Sequence, residues 1–432
     1  MRNCKKIFCL LIAVLVMLVL SGCREVPPPA TTGTTGGSPD PSVSTTHSVY
    51  PGEMNIDLTA AWTTADVPNA ACAAFSDVGY YYMENGRLHF MDTASGISVV
   101  LCQKVGCAHQ QDDKDCEARL SGTRMMFYSD GHIYYDNLVR EEPNSIYVFR
   151  RNADGTGEEK IAVLGEDYIS PNVSLYIGEY IATQDALYFT VYTMEAQKQE
   201  TGSVQLLERD GILLRLELTT GKQQEILRKR DTLIRLIGAR EDALLFYTLD
   251  KLPDEMFLEP EWEEKMKDKP ASIQVWGKEL GTSWVLREET YSEFTEILGL
   301  RDGRIYYRDY DGACFTYEVS ADAVSDTKLN GHITIVNDRY ILNGKTDYSA
   351  KIYPQLLDCE TGAVVSGAYE NASLRIRNKS ETGCMIEIIY YGDVTSQGTV
   401  PILRQIQAYV TFAALEDGLQ GSDLLIIRDV EG

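Results

Sequence analysis

One short pattern recurs along this chain: a polar turn that runs directly into an apolar strand rich in aromatics. It is written Glu84-Asn85-Gly86-Arg87-Leu88-His89-Phe90, then Ser129-Asp130-Gly131-His132-Ile133-Tyr134-Tyr135. It returns as Gln184-Asp185-Ala186-Leu187-Tyr188-Phe189 and as Glu241-Asp242-Ala243-Leu244-Leu245-Phe246-Tyr247. Asp302-Gly303-Arg304-Ile305-Tyr306-Tyr307 is the clearest copy, Asn337-Asp338-Arg339-Tyr340-Ile341-Leu342 a weaker one, and Glu381 to Ile389 a seventh. Asp-Gly and Asn-Gly pairs supply the positive φ angles that a two-residue hairpin turn needs. Each copy therefore predicts two antiparallel strands.

The surroundings extend each hairpin. An apolar run precedes the turn, as in Leu233 to Gly238. A third strand and a second polar turn follow, as in Ile146 to Phe149 before Asn152-Ala153-Asp154-Gly155, and Leu213 to Leu218 before Thr219-Thr220-Gly221. Lys160 to Leu164 reads as a short fourth strand. Four antiparallel strands, repeated about every 35 to 60 residues, predict the blades of a β-propeller, whose stacking buries both faces of each small sheet. The expected fold is all-β: one propeller domain over residues 53–432, with seven blades favoured over six. Two β-sandwiches are the competing architecture, but they would not require the same order of turns in every unit.

One segment departs from the pattern. Residues 252–270, LPDEMFLEPEWEEKMKDKP, interrupt the fourth unit. Glu261 to Lys269 has helix-forming composition, with Pro260 placed to start a helix. Trp262 and Met266 fall four apart, on one face. Two readings follow for this pair: packing against their own blade, or a rim element that contacts a partner.

The N-terminus carries an address. Arg2, Lys5 and Lys6 precede an apolar run from Ile7 to Leu20, which is shorter than the roughly 20 residues of a membrane span. Leu20-Ser21-Gly22-Cys23 closes it and resembles a lipobox, the signal read by bacterial lipoprotein processing. The resemblance implies a signal peptide over 1–22, lipid on the Cys23 sulfur, and anchoring at the extracytoplasmic face of the cell membrane through that lipid. Residues 23–52 follow as a Pro/Gly/Ser/Thr tract, a flexible tether with too little apolar surface to order itself.

The formal charge of the chain is -24, and removal of Arg2, Lys5 and Lys6 takes it to -27. Such a surface disfavours nucleic acid as a partner. Catalytic signatures are missing: there is no Gly-x-Ser-x-Gly, His-Glu-x-x-His, P-loop or Gly-x-Gly-x-x-Gly. The 64 acidic residues make coincidental carboxylate pairs inevitable, so an acid pair for glycan cleavage stays open.

Cys102, Cys107, His109 and Cys116 form a C-x4-C-x-H-x6-C cluster after the last strand of the first unit. Three thiols and an imidazole are the right number and type of donor for one tetrahedral, structural zinc. A disulfide competes, since exported thiols oxidise, but one bridge leaves an odd cysteine and an idle His109. Four protein ligands would close the site to water and argue against metal-assisted hydrolysis. Cys72, Cys314, Cys359 and Cys384 are expected as small buried hydrophobes.

The Asp-Gly-x-Ile-Tyr-Tyr strands and their Asp-Gly or Thr-Gly turns resemble YWTD-type and TolB-like propellers. They are most similar to propeller lipoproteins of Gram-positive anaerobes, in which the C-x4-C-x-H-x6-C segment recurs. The resemblance spans roughly residues 70–430 and brings no established activity with it. Three functions are therefore expected in order. The first is a binding or scaffold module for a saccharide, peptide or protein. The second is an envelope glycan hydrolase or lyase. The third is a sensory partner subunit that uses the 252–270 insert.

Overall fold

The computed structural model describes residues 62–64 and 73–431, apart from short internal segments, the longest being 344–354, 254–260, 365–371 and 417–423. Its architecture is a seven-bladed β-propeller. Seven antiparallel sheets follow one another in the chain at 73–100, 126–164, 173–230, 232–290, 296–330, 333–358 and 372–431, here blades 1 to 7. Among the described residues five blades have four strands, blade 6 has three and blade 4 has five. Within a blade consecutive strands are neighbours, so they add in sequence order; blade 4 carries in addition Thr63–Thr64 beside its first strand.

The first strand of each blade lines the central channel. Ala73–Phe75 of blade 1 packs beside Met126–Ser129 of blade 2, and Thr232–Ala239 of blade 4 lies between Val173–Ala182 and Glu296–Arg301. In blades 3, 4, 5 and 7 this strand carries a bulge, at Ile177/Tyr180, Leu236/Gly238, Ile297/Gly299 and Ile376/Asn378. A bulge turns side chains out of register and bends the strand, so the channel wall is re-aimed at one level in four blades. Glu179 and Arg235 exploit this between blades 3 and 4: their ion pair is 2.7 Å, and the second Glu179 oxygen accepts the Leu236 N–H at 2.7 Å.

The cores lie in the seams between blades. Blades 2 and 3 share Val148, Leu164, Leu187, Phe189 and Leu214, all fully buried. Blades 4 and 5 share Tyr247, Ile273, Phe294, Ile305 and Tyr317. Tyrosines serve this role because the ring fills the seam while the hydroxyl reaches across it: Tyr192 donates to the Ile234 carbonyl at 2.6 Å and Tyr247 to the Phe294 carbonyl at 2.6 Å. Radial stacking thus links blades by packing and by single hydrogen bonds.

The predicted helix is present as Trp262–Lys267, between the second and third strands of blade 4; Pro260 lies outside the described residues. Met266 is buried in the blade 4/5 core and Trp262 is partly buried against the same core.

One expected alignment is wrong. In blades 2 to 7 the repeated turn joins the first and second strands, but Asn85-Gly86 joins the second and third strands of blade 1. The first turn of that blade is Ser76-Asp77-Val78. Any tight left-handed hairpin demands the same residues, whichever pair of strands it joins, and Asn85 and Gly86 have φ 51° and 73° just as Asp130 and Gly131 have 46° and 75°. His89 accordingly lies in a third strand, whereas His132 begins a second one. A further correction concerns the scattered cysteines. Cys314 and Cys384 are buried as expected, but Cys359 is exposed in the turn after its strand, and Cys72 is not among the described residues.

Candidate functional site

The cysteine loop, residues 101–120, lies between the last strand of blade 1 and the first strand of blade 2 and contacts the third strands of both blades. Leu101 continues the last strand of blade 1 and donates its N–H to the Leu88 carbonyl at 3.0 Å. The loop's far end returns to the same blade, with Leu88 N–H on the Ala118 carbonyl at 2.8 Å and Leu120 N–H on the Gly86 carbonyl at 3.1 Å. Two buried arginines pin it from either side. Arg87 of blade 1 donates to the Gln110 carbonyl, and Arg151 of blade 2 donates to the Glu117 carbonyl at 2.5 Å. Arg151 is itself held by Tyr135 at 2.7 Å and by Glu158.

Within this frame the four sequence-predicted donors converge. One donor atom from each of Cys102, Cys107, His109 and Cys116 lies within 4.8 Å of all the others. His109 takes a left-handed conformation, φ 53°, which turns its ring back toward the cysteines. Its Nδ1 stands 3.6 Å from the Cys116 sulfur. A tetrahedral zinc with ordinary Zn–S and Zn–N bonds would separate such a pair by about 3.6 Å. All three cysteines carry free thiols, and Cys116 is buried. The donor set therefore fits a metal ion.

The electrostatics of the metal-free loop are those of crowded thiols. Burial opposes the Cys102 thiolate, but the Lys104 and Glu117 N–H groups and the Cys107 and Cys116 thiols donate to it and hold its pKa below the ordinary thiol value. At Cys107 the His109 N–H favours the thiolate. Burial and donation to Asp113, Cys116 and Cys102 outweigh it, and the thiol is pushed up to about 12. The Cys107 thiol donates to Asp113 at 3.1 Å. A bound cation would favour all three thiolates together. Asp115 forms an exposed ion pair with Lys104 at 3.7 Å; Asp112 is outside the described residues.

A second feature was not foreseen from sequence. Near the turns between first and second strands, the channel holds a cavity of about 590 Å³. Phe75 and Asp77 of blade 1, Tyr128 of blade 2, Ala182 of blade 3 and Lys379 of blade 7 face it, and Thr63 and Thr64 close one side. Asp77 is the one carboxylate among these described lining residues, so the wall shows no acid pair there. Lys379 is positioned by its bond to the Ile335 carbonyl at 3.0 Å. The residues come from blades that are far apart in sequence, which is why no local motif marks them.

Cys23 and the whole tether lie outside the described residues, as do His47 and His332. No described helix is long and apolar enough to cross a membrane.

No protein-family model matches the chain, and no curated protein does so. Solved structures do. Puromycin hydrolase matches with a TM-score of 0.50 at 10% identity, over 87% of this chain and 55% of that one. The β-propeller domain of the Trilobed protease from Pyrococcus furiosus matches with a TM-score of 0.44 at 9% identity, over 81% and 97% of the two chains. An oligogalacturonate lyase in complex with manganese matches with a TM-score of 0.43 at 10% identity, over 78% and 89%. At these identities the likeness concerns the fold, and the fold is that of a β-propeller.

Proposed function

We propose that this protein is a lipid-anchored binding module whose ligand enters the channel cavity. The observation that carries the reading is the 590 Å³ cavity itself, walled by aromatic rings and hydroxyls from several blades, with Asp77 and Lys379 as charged groups. A concave site of this size that offers both rings and placed polar groups suits small ligands and short polymer segments. Anchoring through Cys23 would display the domain at the extracytoplasmic face. The ligand class is a saccharide, peptide or protein segment from the envelope or medium.

The test uses the chain from residue 53 on glycan and peptide arrays. Wild type binds a ligand that Ala182→Trp, which fills the cavity, no longer binds. A ligand that both proteins bind equally would place recognition elsewhere on the surface.

The cysteine loop has a structural part in the same reading: Cys102, Cys107, His109 and Cys116 hold one zinc, which staples blades 1 and 2. Protein purified under reducing conditions should contain about one zinc per chain, and Cys107→Ser should lose it along with thermal stability. Metal-free protein with unchanged stability in that variant overturns the staple. For the anchor, Cys23→Ala should release the protein from the membrane fraction.

A further inference from the structure

Blade 4 has a fifth strand, and its position is unusual. The first strand of a propeller blade turns its free edge to the channel, leaving backbone N–H and C=O groups unpaired there. Among the described residues only blade 4 has this edge covered. Thr63–Thr64 pairs antiparallel to the first strand, Thr63 opposite Ala239 and Thr64 opposite Gly238. These residues are about 175 positions from their partners in sequence and belong to no blade repeat.

The wall is shaped for this segment. Gly238 follows the bulge of its strand, and a side chain there would meet Trp62 Cβ at 3.2 Å and Leu300 at 3.0 Å. Glycine thus leaves room for Trp62, whose side chain packs onto the blade 4/5 core and under the Arg240 guanidinium, 4.9 Å from the ring centroid. Arg240 is itself paired with Asp242 at 2.8 Å. The site therefore has a recess for an aromatic ring, a cation over that ring, and a two-residue backbone edge. Thr63 and Thr64 also line the channel cavity, so the segment seated on this edge forms part of the cavity wall.

We infer that the inner edge of blade 4 is a strand-addition site for an extended peptide with an aromatic anchor, and that Trp62–Thr64 occupies it as an internal ligand. Strand addition takes its affinity from main-chain bonds and its selectivity from side-chain pockets. The chain's own segment leads within nine residues to Ala73 of blade 1. So short a connection gives it an effective concentration on the order of millimolar, and a free peptide competes only poorly until the segment is weakened. The inference rests on the channel being a binding site, and adds the ligand class: peptides that carry an aromatic residue followed by small or β-branched ones.

The experiment uses a labelled peptide with the sequence of residues 60–66, AAWTTAD, and fluorescence anisotropy. The chain from residue 53 is compared with its Trp62→Ala/Thr63→Pro variant, whose folding is checked by circular dichroism. The variant should bind the peptide at a concentration at least about tenfold below that needed by wild type, because the competent fraction rises. The same peptide with Trp replaced by Ala should not bind. A folded variant that ignores the peptide overturns the inference and makes Trp62–Thr64 a fixed strut. An array ligand lost in Ala182→Trp, together with that failure, overturns strand addition alone and leaves the cavity reading standing. If the variant does not fold, hydrogen exchange of wild type decides. Excess peptide should speed exchange at Trp62–Thr64, and unchanged exchange there overturns the inference.

Discussion

Asp136 shows how one residue organises a blade start. It is buried in the second strand of blade 2 and accepts the Arg124 and Met125 N–H groups at 2.6 and 2.7 Å through one oxygen. Its other oxygen has no hydrogen-bond partner among the described residues. Burial raises its pKa to about 6, against the pull of those N–H groups and of the Arg124 charge. Because the folded pKa lies above the unfolded one, the protonated form favours folding. The contribution is complete below about pH 4 and is lost as pH rises through about 6. Asp136→Asn should flatten the denaturation midpoint between those limits. Asp136→Ala, which strands the buried Met125 N–H and the partly buried Arg124 N–H, should cost about 1–3 kcal/mol in urea melts at any pH. Nothing in the sequence around Asp136 marks it, since only the fold buries it. The cysteine loop is the opposite case. Its four donors lie within fifteen residues of one another, so C-x4-C-x-H-x6-C already named them. What the sequence could not reveal is that Arg87 and Arg151 hold the loop, since they reach it from strands of two blades.

Elements were readable where the turn chemistry is local. The Asp130-Gly131 hairpin and the Gly303 hairpin were visible because positive φ angles select those residues. The displacement of Asn85-Gly86 by one strand was not, because a hairpin's sequence records the turn and not its rank in the blade. The roles of glycines divide along the same line. At Gly131, φ is 75° and an added Cβ meets nothing within 4 Å, so Gly131→Ala carries only the left-handed strain, about 1–2 kcal/mol. Gly211 lies in the third strand of blade 3, and an added Cβ would stand 2.3 Å from the Thr232 carbonyl oxygen of blade 4. A backbone oxygen cannot swing aside. Gly211→Ala should therefore lower the thermal midpoint more than Gly131→Ala, although only Gly131 belongs to a recognisable turn motif. Equal losses in parallel melts would mean that the seam yields to a methyl group.

At the scale of the molecule, blade 7 contains no exchanged strand among the described residues. All four strands there come from consecutive C-terminal residues, 372–431. Closure rests on side chains: Ala73, Tyr80, Tyr82 and Met91 of blade 1 meet Met385 and Tyr409 of blade 7, with the Phe75 and Tyr409 rings 5.6 Å apart. Tyr409→Ala should cost about 3–5 kcal/mol. Hydrogen exchange should rise first in blades 1 and 7, because that seam alone carries the closure. Uniform acceleration around the ring would show that closure is shared with the segment at Trp62–Thr64.

By itself the sequence determined the hairpin repeat, the all-β class, the favoured blade count, the helical insert in blade 4 and the four-donor cysteine loop. All of these depend on contacts among residues close in the chain, which turn chemistry and spacing record. Tertiary structure alone decided that Met266 points into the blade 4/5 core, that Asn85-Gly86 is a second turn, that Cys359 is exposed, and that a cavity opens in the channel. It also decided that Thr63 and Thr64 extend blade 4 from inside. Each of these depends on where an element stands in the assembled ring. A radial fold sets such distances by closing its ring, and no local window of sequence contains that closure.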